Sequence, residues 1–528
     1  MNLATIVLEQ ARLRPKAPAI IASHKGRDRI MTFGGLADAS ARVAEQLREV
    51  GLAPGSAMLL LVPMSPELYA VLVGLFRAGL VPTVLDPSAG RKHIDRCCEL
   101  NPPAGFIGVP KAHMLRLLSG RIRDIPHKFC VGAGWPFGRR LQFTDGKSID
   151  ERVADLPSEH PALMTFTSGS TGLPKAVIRS HGFLLAQHQA IEHSIQLQAG
   201  QLDLTTLPVF VLANLGSGVA SVIPDCDLRK PGQIEAAPVL AQVERLGITR
   251  TAASPAFIEC LLQAPTARTA GAGFRQVFTG GAPVFPRLLQ RVKEIWPACE
   301  PTAVYGSTEA EPIADLPFRD IDADDLLAMR SGRGLLAGKP VSEIKLAIIP
   351  NQWGQPIRLP STDEFQSITL SPGVTGEIVV NGEHVLRGYL NGQGDAETKF
   401  QVDGATWHRT GDAGYLDQSG RLWLMGRCAA RITDSIGELY PFAVECIAMQ
   451  FEWVRLAGCV GVKGKRCLAV ECRREPSAAE KEELRKALEA PQVSPVILRG
   501  KLPVDARHNA KIDYRRLALL LVQNGNAD

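Results

Sequence analysis

The stretch Met164-Thr165-Phe166-Thr167-Ser168-Gly169-Ser170-Thr171-Gly172-Leu173-Pro174-Lys175 concentrates groups that can do chemistry. Apolar residues lead in, hydroxyl and glycine residues then alternate, and a lysine closes the run. Gly169 and Gly172 let backbone N–H groups turn inward and approach an anion closely. Thr167, Ser168, Ser170 and Thr171 add four hydroxyl donors, and Lys175 adds a point charge. That combination suits a polyphosphate. It is not a Walker A loop, which needs Gly, four residues and then Gly-Lys-Ser/Thr; here Gly172 is followed by Leu-Pro-Lys. A Ser/Thr/Gly linker is the plain alternative, and the Thr-Phe-Thr before the glycines and Pro-Lys after them speak against it.

The elements that must hold this loop follow from periodicity. Ala4 to Arg14 and Phe33 to Val50 read as helices, the second with Leu36, Ala39, Val43, Leu47 and Val50 at helical spacing. Ala57 to Val62 is a strand-length apolar run, Pro66 to Ala78 is helical, and Val81 to Leu85 is a second short strand. Strand, helix, strand at this spacing predicts βαβ units and a parallel sheet. The pattern returns with a helix at Pro238 to Leu246, a strand at Arg250 to Ala253, a helix at Pro255 to Leu262 and a strand at Phe274 to Thr279. After Glu343 the texture becomes β-rich, with strands at Ile344 to Ile349, Gly376 to Val380 and Arg421 to Met425. Beyond Gly426-Arg427 a further α/β segment has strands at Val454 to Val462 and Cys467 to Cys472. Its helix, Ala478 to Ala490, has Ser477 and Glu480 at capping-box distance. The expected architecture is α/β: a large domain over 1–426, built of parallel-type α/β subdomains plus a β-rich subdomain, and a small mobile α+β domain over 427–528.

Composition excludes several classes. At 528 residues, with 45% hydrophobic and 21% charged, the chain can bury a multidomain core. A net charge of +5 without a long basic block argues against nucleic acid; Arg121, Arg123, Lys128, Arg139 and Arg140 read as a solvated face. The eleven cysteines include no Cys-x-x-Cys pair, so neither a zinc site nor a disulfide framework is expected, and the thiols fit a reducing cytoplasm. Met1 to Lys16 lacks a signal-peptide apolar core, and Tyr69 to Leu85 is cut by Arg77 and Pro82, so no transmembrane segment is expected.

The stretch 164–175 resembles the phosphate-binding signature of the adenylate-forming superfamily: acyl-CoA synthetases, peptide-synthetase adenylation domains and luciferases. Further matches follow in order. Thr279-Gly280-Gly281-Ala282-Pro283 resembles the adenine-side turn, and Val304-Tyr305-Gly306-Ser307-Thr308-Glu309 resembles the Tyr-Gly-x-Thr-Glu motif. Trp407-His408-Arg409-Thr410-Gly411-Asp412 resembles the ribose motif, Gly426-Arg427 the hinge, and Lys511 the catalytic lysine. The resemblance implies ATP-dependent joining of a small carboxylic acid to AMP. It implies that Thr167 to Lys175 hold the β- and γ-phosphates and that Gly281, Ala282 and Pro283 border adenine. Tyr305, next to Gly306, would stack on the base, and Thr308 would donate to the α-phosphate. Glu309 would bind Mg²⁺, Asp412 would accept from both ribose hydroxyls, and Arg427 would help to hold the ribose or the hinge. Lys511 would bridge the carboxylate and the α-phosphate. Read without the resemblance, Asp412 beside Gly411 is a turn aspartate, Glu309 a solvated carboxylate and Lys511 a surface lysine. His181 reads as structural, and Cys97-Cys98 as buried thiols.

The acid and the fate of its adenylate are less legible. Many acyl-CoA ligases read Leu-Pro-Leu-Phe-His where this chain reads Leu207-Pro208-Val209-Phe210-Val211. The small apolar residues from Phe210 and Val211 to Gly216 suit an acyl pocket or a plain core. The position two residues after Arg427, often Asp or Lys in the family, is Ala429, and the stretch usually Gly-Gly-Glu-Asn is Ser435-Ile436-Gly437-Glu438. Ser221 to Asp225, Ala253 to Ala256 and Leu502 to Lys511 resemble one branch, the β-lactone synthetases of olefin biosynthesis. That resemblance implies a 3-hydroxy fatty acid whose own hydroxyl displaces AMP, so that orientation replaces a CoA site. The alternatives are a ligase that passes the acyl group to CoA or to an acyl carrier protein, alone or with other pathway enzymes; a peptide-synthetase adenylation module working in trans; and a non-catalytic nucleotide-binding protein.

Overall fold

The fold was analysed in a computed structural model that describes residues 1–85, 90–132, 138–144, 150–168, 174–358, 361–498, 500–504 and 511–523, without the side chains of 167, 168 and 498. Two compact units emerge. One comprises Met1–Asp225, Ala241–Ala252 and Glu383–Ala396; the other comprises Cys226–Leu240, Ala253–Gly382 and Glu397–Asp528.

The first unit contains a seven-stranded sheet in the order Arg139–Arg140, His127–Cys130, Gly105–Gly108, Ala57–Leu61, Val81–Val84, Pro161–Ser168, Pro174–Ser180. All neighbours are parallel except the last two, which form an antiparallel hairpin. The βαβ expectation is met. Pro66–Ala78 starts at Ser65, whose hydroxyl accepts from the Leu68 N–H, and ends at left-handed Gly79. Because this helix is apolar all round, twelve of its residues are buried, and it packs on the helix Phe33–Arg48. A further strand order has Arg250–Ala253, Leu202–Thr205, Ala220–Ile223 and Pro18–His24 running parallel, and Arg27–Thr32 closes the edge as a hairpin. That hairpin was not expected from the sequence.

The second unit holds an eight-strand order: Lys345–Ile349, Gly376–Asn381, Ala405–Leu416, Leu422–Arg427, Leu335–Pro340, Ala310–Pro317, Glu300–Ser307, Gln276–Gly280. The β-rich texture begins earlier than the expected Glu343. Ala310–Pro317 and Leu335–Pro340 already run antiparallel, and their alternation is masked by prolines and glycines. Past Arg427, the strands Val454–Val462, Lys465–Cys472 and Ser494–Leu498 form a three-stranded sheet. Trp453, Leu468, Val470, Leu484 and Leu488 form a core with the helices Phe442–Met449 and Ala478–Ala487. The latter helix carries the expected Ser477/Glu480 capping box but stops three residues sooner than read, at Ala487.

Candidate active site

Strand register delivers the charged groups of the site. In the antiparallel pair Ala405–Leu416 and Leu422–Arg427, Asp412 lies directly opposite Arg427. The Arg427 Nη1 is 3.1 Å from Asp412 Oδ1, and Tyr305, from the strand Glu300–Ser307, donates its hydroxyl to Asp412 Oδ2 at 2.8 Å. One carboxylate is thus held from two sides. Asp412 in turn raises the Arg427 guanidinium above its ordinary range, and burial together with Asp412 pushes the Tyr305 phenol well up, so both keep their protons.

These residues share a cavity of about 220 Å³ within the second unit, and Gly281, Ala282, Pro283, Gly306 and Lys511 line it as well. Gly281 follows the strand Gln276–Gly280 with φ +79°, a left-handed geometry that turns the chain along the cavity edge. Thr308 and Glu309 are the two turn residues between Ser307 and Ala310, which pair across the hairpin; Ser307 lines the cavity, and its hydroxyl accepts from the Glu309 N–H at 3.3 Å. Lys511 is placed by what surrounds it in sequence. Ile512 bridges to Val504, the Asp513 N–H donates to the Pro503 carbonyl at 2.9 Å, and Tyr514 opens the last helix.

Several wall residues gave no signal in the sequence. Leu335, Leu336, Leu424, Phe285 and Phe442 supply an apolar side to the cavity. Glu445 also lines it, on the helix Phe442–Met449. Its Oε1 accepts from the Cys459 N–H and from the Tyr514 hydroxyl, each at 3.0 Å. A lone carboxylate inside Phe-Ala-Val-Glu-Cys-Ile-Ala-Met was the available clue. Burial raises the Glu445 carboxyl to about 8. A raised carboxyl contributes stability that is full below its ordinary value and is lost as pH climbs to about 8. Glu445→Gln removes this titration, so the variant should gain on the wild type by roughly 1.4 kcal/mol per pH unit between about 5 and about 8. Thermal midpoints across that range test this; parallel profiles for the two proteins would refute it.

The phosphate-loop residues belong to the first unit. Thr167 pairs with Lys175 and Ser168 with Pro174 across the hairpin, while Gly169, Ser170, Thr171 and Gly172 lie outside the described residues. Lys175 is buried, with its Nζ 5.6 Å from the centre of the Tyr389 ring, and Tyr389 bridges to Val177. Phe210, Val211 and Gly216 fall on the buried helix Pro208–Ser217; a Cβ on Gly216 would come within 2.7 Å of both Ile6 and the His188 ring. His181 is structural, as read: its Nδ1 accepts from the Leu3 N–H at 3.1 Å, and burial holds its ring down at about 4. All eleven cysteines are free. Among the described residues no three His, Cys, Asp or Glu side chains gather to hold a metal, and no helix is long and apolar enough to cross a membrane.

A family profile described as AMP-binding enzyme matches residues 7–390. An olefin beta-lactone synthetase of Stenotrophomonas maltophilia is 31% identical, spanning 98% of this chain and 97% of its own. An indoleacetate–CoA ligase of Aromatoleum aromaticum is 26% identical over 84% of this chain and 82% of its own. Among solved structures, an amide bond synthetase from Marinactinospora thermotolerans matches with a TM-score of 0.80 at 22% identity, over 98% of this chain and 99% of that one.

Proposed function

Because the chain belongs to the AMP-binding enzyme family of carboxylate-activating ligases, we propose that it adenylates a 3-hydroxy fatty acid and that the acid's own hydroxyl then displaces AMP to close a β-lactone. The observation that carries the adenylation half is the convergence of Tyr305, Asp412, Arg427 and Lys511 on one cavity. The lactone half leans on the olefin beta-lactone synthetase relative, 31% identical along nearly its whole length.

Attack of a carboxylate oxygen on the α-phosphorus forms the acyl–phosphate bond and expels pyrophosphate. Two anions must meet, so cations and donors have to stand where charge gathers. In our assignment Tyr305 stacks on adenine beside Gly281, Ala282 and Pro283. Asp412, paired with Arg427, accepts from the ribose hydroxyls. Thr308 donates to the α-phosphate, and the loop from Thr167 to Lys175 holds the departing pyrophosphate. Lys511 neutralises the carboxylate and the α-phosphate together. Glu309 is the single carboxylate at the hairpin tip, which suits a Mg²⁺ ion that takes most of its ligands from phosphate and water. In the second step the 3-hydroxyl oxygen attacks the acyl carbon, the bond to AMP breaks and the hydroxyl proton passes to water. Held in one molecule, this attack needs orientation and no second substrate. Phe210, Val211 and Gly216 are the proposed wall for the aliphatic tail. Residues 427–528 are assigned as the mobile small domain carrying Lys511, residues 1–426 as the large one, and the cytoplasm as the site of action.

Purified protein with ATP, Mg²⁺ and a 3-hydroxy fatty acid should release AMP and yield a product lighter than the acid by one water, with no thiol added. AMP release that appears only with CoA or an acyl carrier protein, together with a thioester product, would replace this function with a ligase like the indoleacetate–CoA relative.

A further inference from the structure

Apolar side chains exposed singly are ordinary; a contiguous set framed by like charges is not. Between Pro110 and Arg123 the first unit folds three short helical turns, Pro110–His113, Leu115–Leu118 and Gly120–Arg123. Leu115 and Ile122 face inward and pack with Ile94, Ile125 and Phe106. Turning those two inward leaves Met114, Leu117 and Leu118 outside, at i, i+3 and i+4, which places them on one face. They are 53%, 75% and 63% exposed, and Leu117 is the most exposed large apolar residue of the described chain.

The charges around this face have one sign in excess. From Arg91 to Asp124 there are seven Lys and Arg against three Asp and Glu, a surplus of +4 out of the +5 carried by the whole chain. The three acids are occupied: Asp95 accepts from the Ser119 hydroxyl, Glu99 pairs with Arg121 at 3.0 Å, and Asp124 lies 3.8 Å from Arg123. Arg91 donates to the Leu118 carbonyl at 3.1 Å, which ties the basic helix Arg91–Leu100 to the apolar turn. Arg91, Lys92 and Arg96 on that helix and Lys111 on the first of the three turns are exposed.

We propose that this face docks on an anionic phospholipid surface, with Met114, Leu117 and Leu118 entering the headgroup–acyl boundary and the surrounding cations meeting lipid phosphates. An apolar patch inside a basic frame is the pattern that binds bilayers reversibly, each near-surface cation multiplying partitioning by about fivefold. A protein partner would more often match such a patch with its own mixture of charges and satisfied polar groups. No spanning helix is required, which agrees with the absence of one among the described residues.

The test is co-sedimentation of the full chain with vesicles of mixed phosphatidylglycerol and phosphatidylcholine, against vesicles of phosphatidylcholine alone. The wild type should pellet with the anionic vesicles and be released in about 1 M salt, where screening shortens to about 3 Å. Leu117→Ser with Leu118→Ser should lower the bound fraction at least about tenfold. Pyrophosphate exchange with a short soluble acid and the thermal midpoint should stay unchanged, which separates lost docking from lost folding. Equal binding to both vesicle types, or full binding by the double variant, would overturn the proposal. So would a wild type that ignores vesicles but self-associates in sedimentation while the double variant does not, since the face would then serve a protein.

Discussion

Lys511→Ala is expected to lower ATP–pyrophosphate exchange by about 100- to 1,000-fold while leaving the dissociation constant for ATP within about threefold. The reaction brings a carboxylate against a phosphate, and Lys511 is the lysine that reaches the cavity holding Tyr305, Asp412 and Arg427. An ammonium inside a partly apolar pocket is worth far more than one in water. Its placement is also pre-organised, through the Val504–Ile512 bridge, the Asp513–Pro503 hydrogen bond and the Tyr514–Glu445 contact. Lys511→Arg should restore little, because a planar fork does not replace a compact charge that contacts two anions. Exchange at the wild-type rate in the alanine variant would take Lys511 out of the chemistry.

The second large effect is on stability. Glu377 and Arg409 meet through two contacts of 2.7 Å, with both side chains fully buried. Arg409 also donates to the carbonyls of Gln355 and Glu397 and sits 5.4 Å from the centre of the Trp353 ring. Glu377→Ala leaves a guanidinium in the core with its best acceptor gone, which should cost about 3–5 kcal/mol of unfolding free energy. Replacing both partners with apolar residues, Glu377→Leu with Arg409→Met, should cost distinctly less, because no charge is stranded. Denaturant titrations of the single and double variants measure the difference. A single-variant loss below about 1 kcal/mol would mean that water or another acceptor reaches Arg409.

Legibility followed the range of the forces involved. Pro66–Ala78 and Val454–Val462 came out residue for residue, since apolar spacing within one element dictates them and the first is bounded by a serine cap and a glycine stop. The Ser477/Glu480 box was equally local. Lys511, Asp412 and Tyr305 were legible as members of motifs, but not as neighbours: their meeting depends on the cross-strand register of Asp412 with Arg427 and on a hydroxyl arriving from another strand. The Glu377–Arg409 pair went unread for the same reason, its partners lying 32 residues apart on adjacent strands. Glu445 was visible only as an oddity in an apolar helix; that it would be held by Tyr514 needed the fold. The apolar wall from Leu335, Leu336 and Phe285 carries no pattern that distinguishes lining from core.

The phosphate-loop hairpin gets one of its supports from far downstream. Tyr389, in the segment Glu383–Ala396, bridges to Val177 and faces Lys175, while everything between Ala253 and Gly382 is committed to the other unit. On the ribosome, then, this corner of the first unit stays unfinished until synthesis has passed through two of the three segments of the second. Contacts of such long sequence separation are closed late and slowly. A nascent chain stalled before Tyr389 should expose this hairpin to proteases and chaperones in a way that the released protein does not.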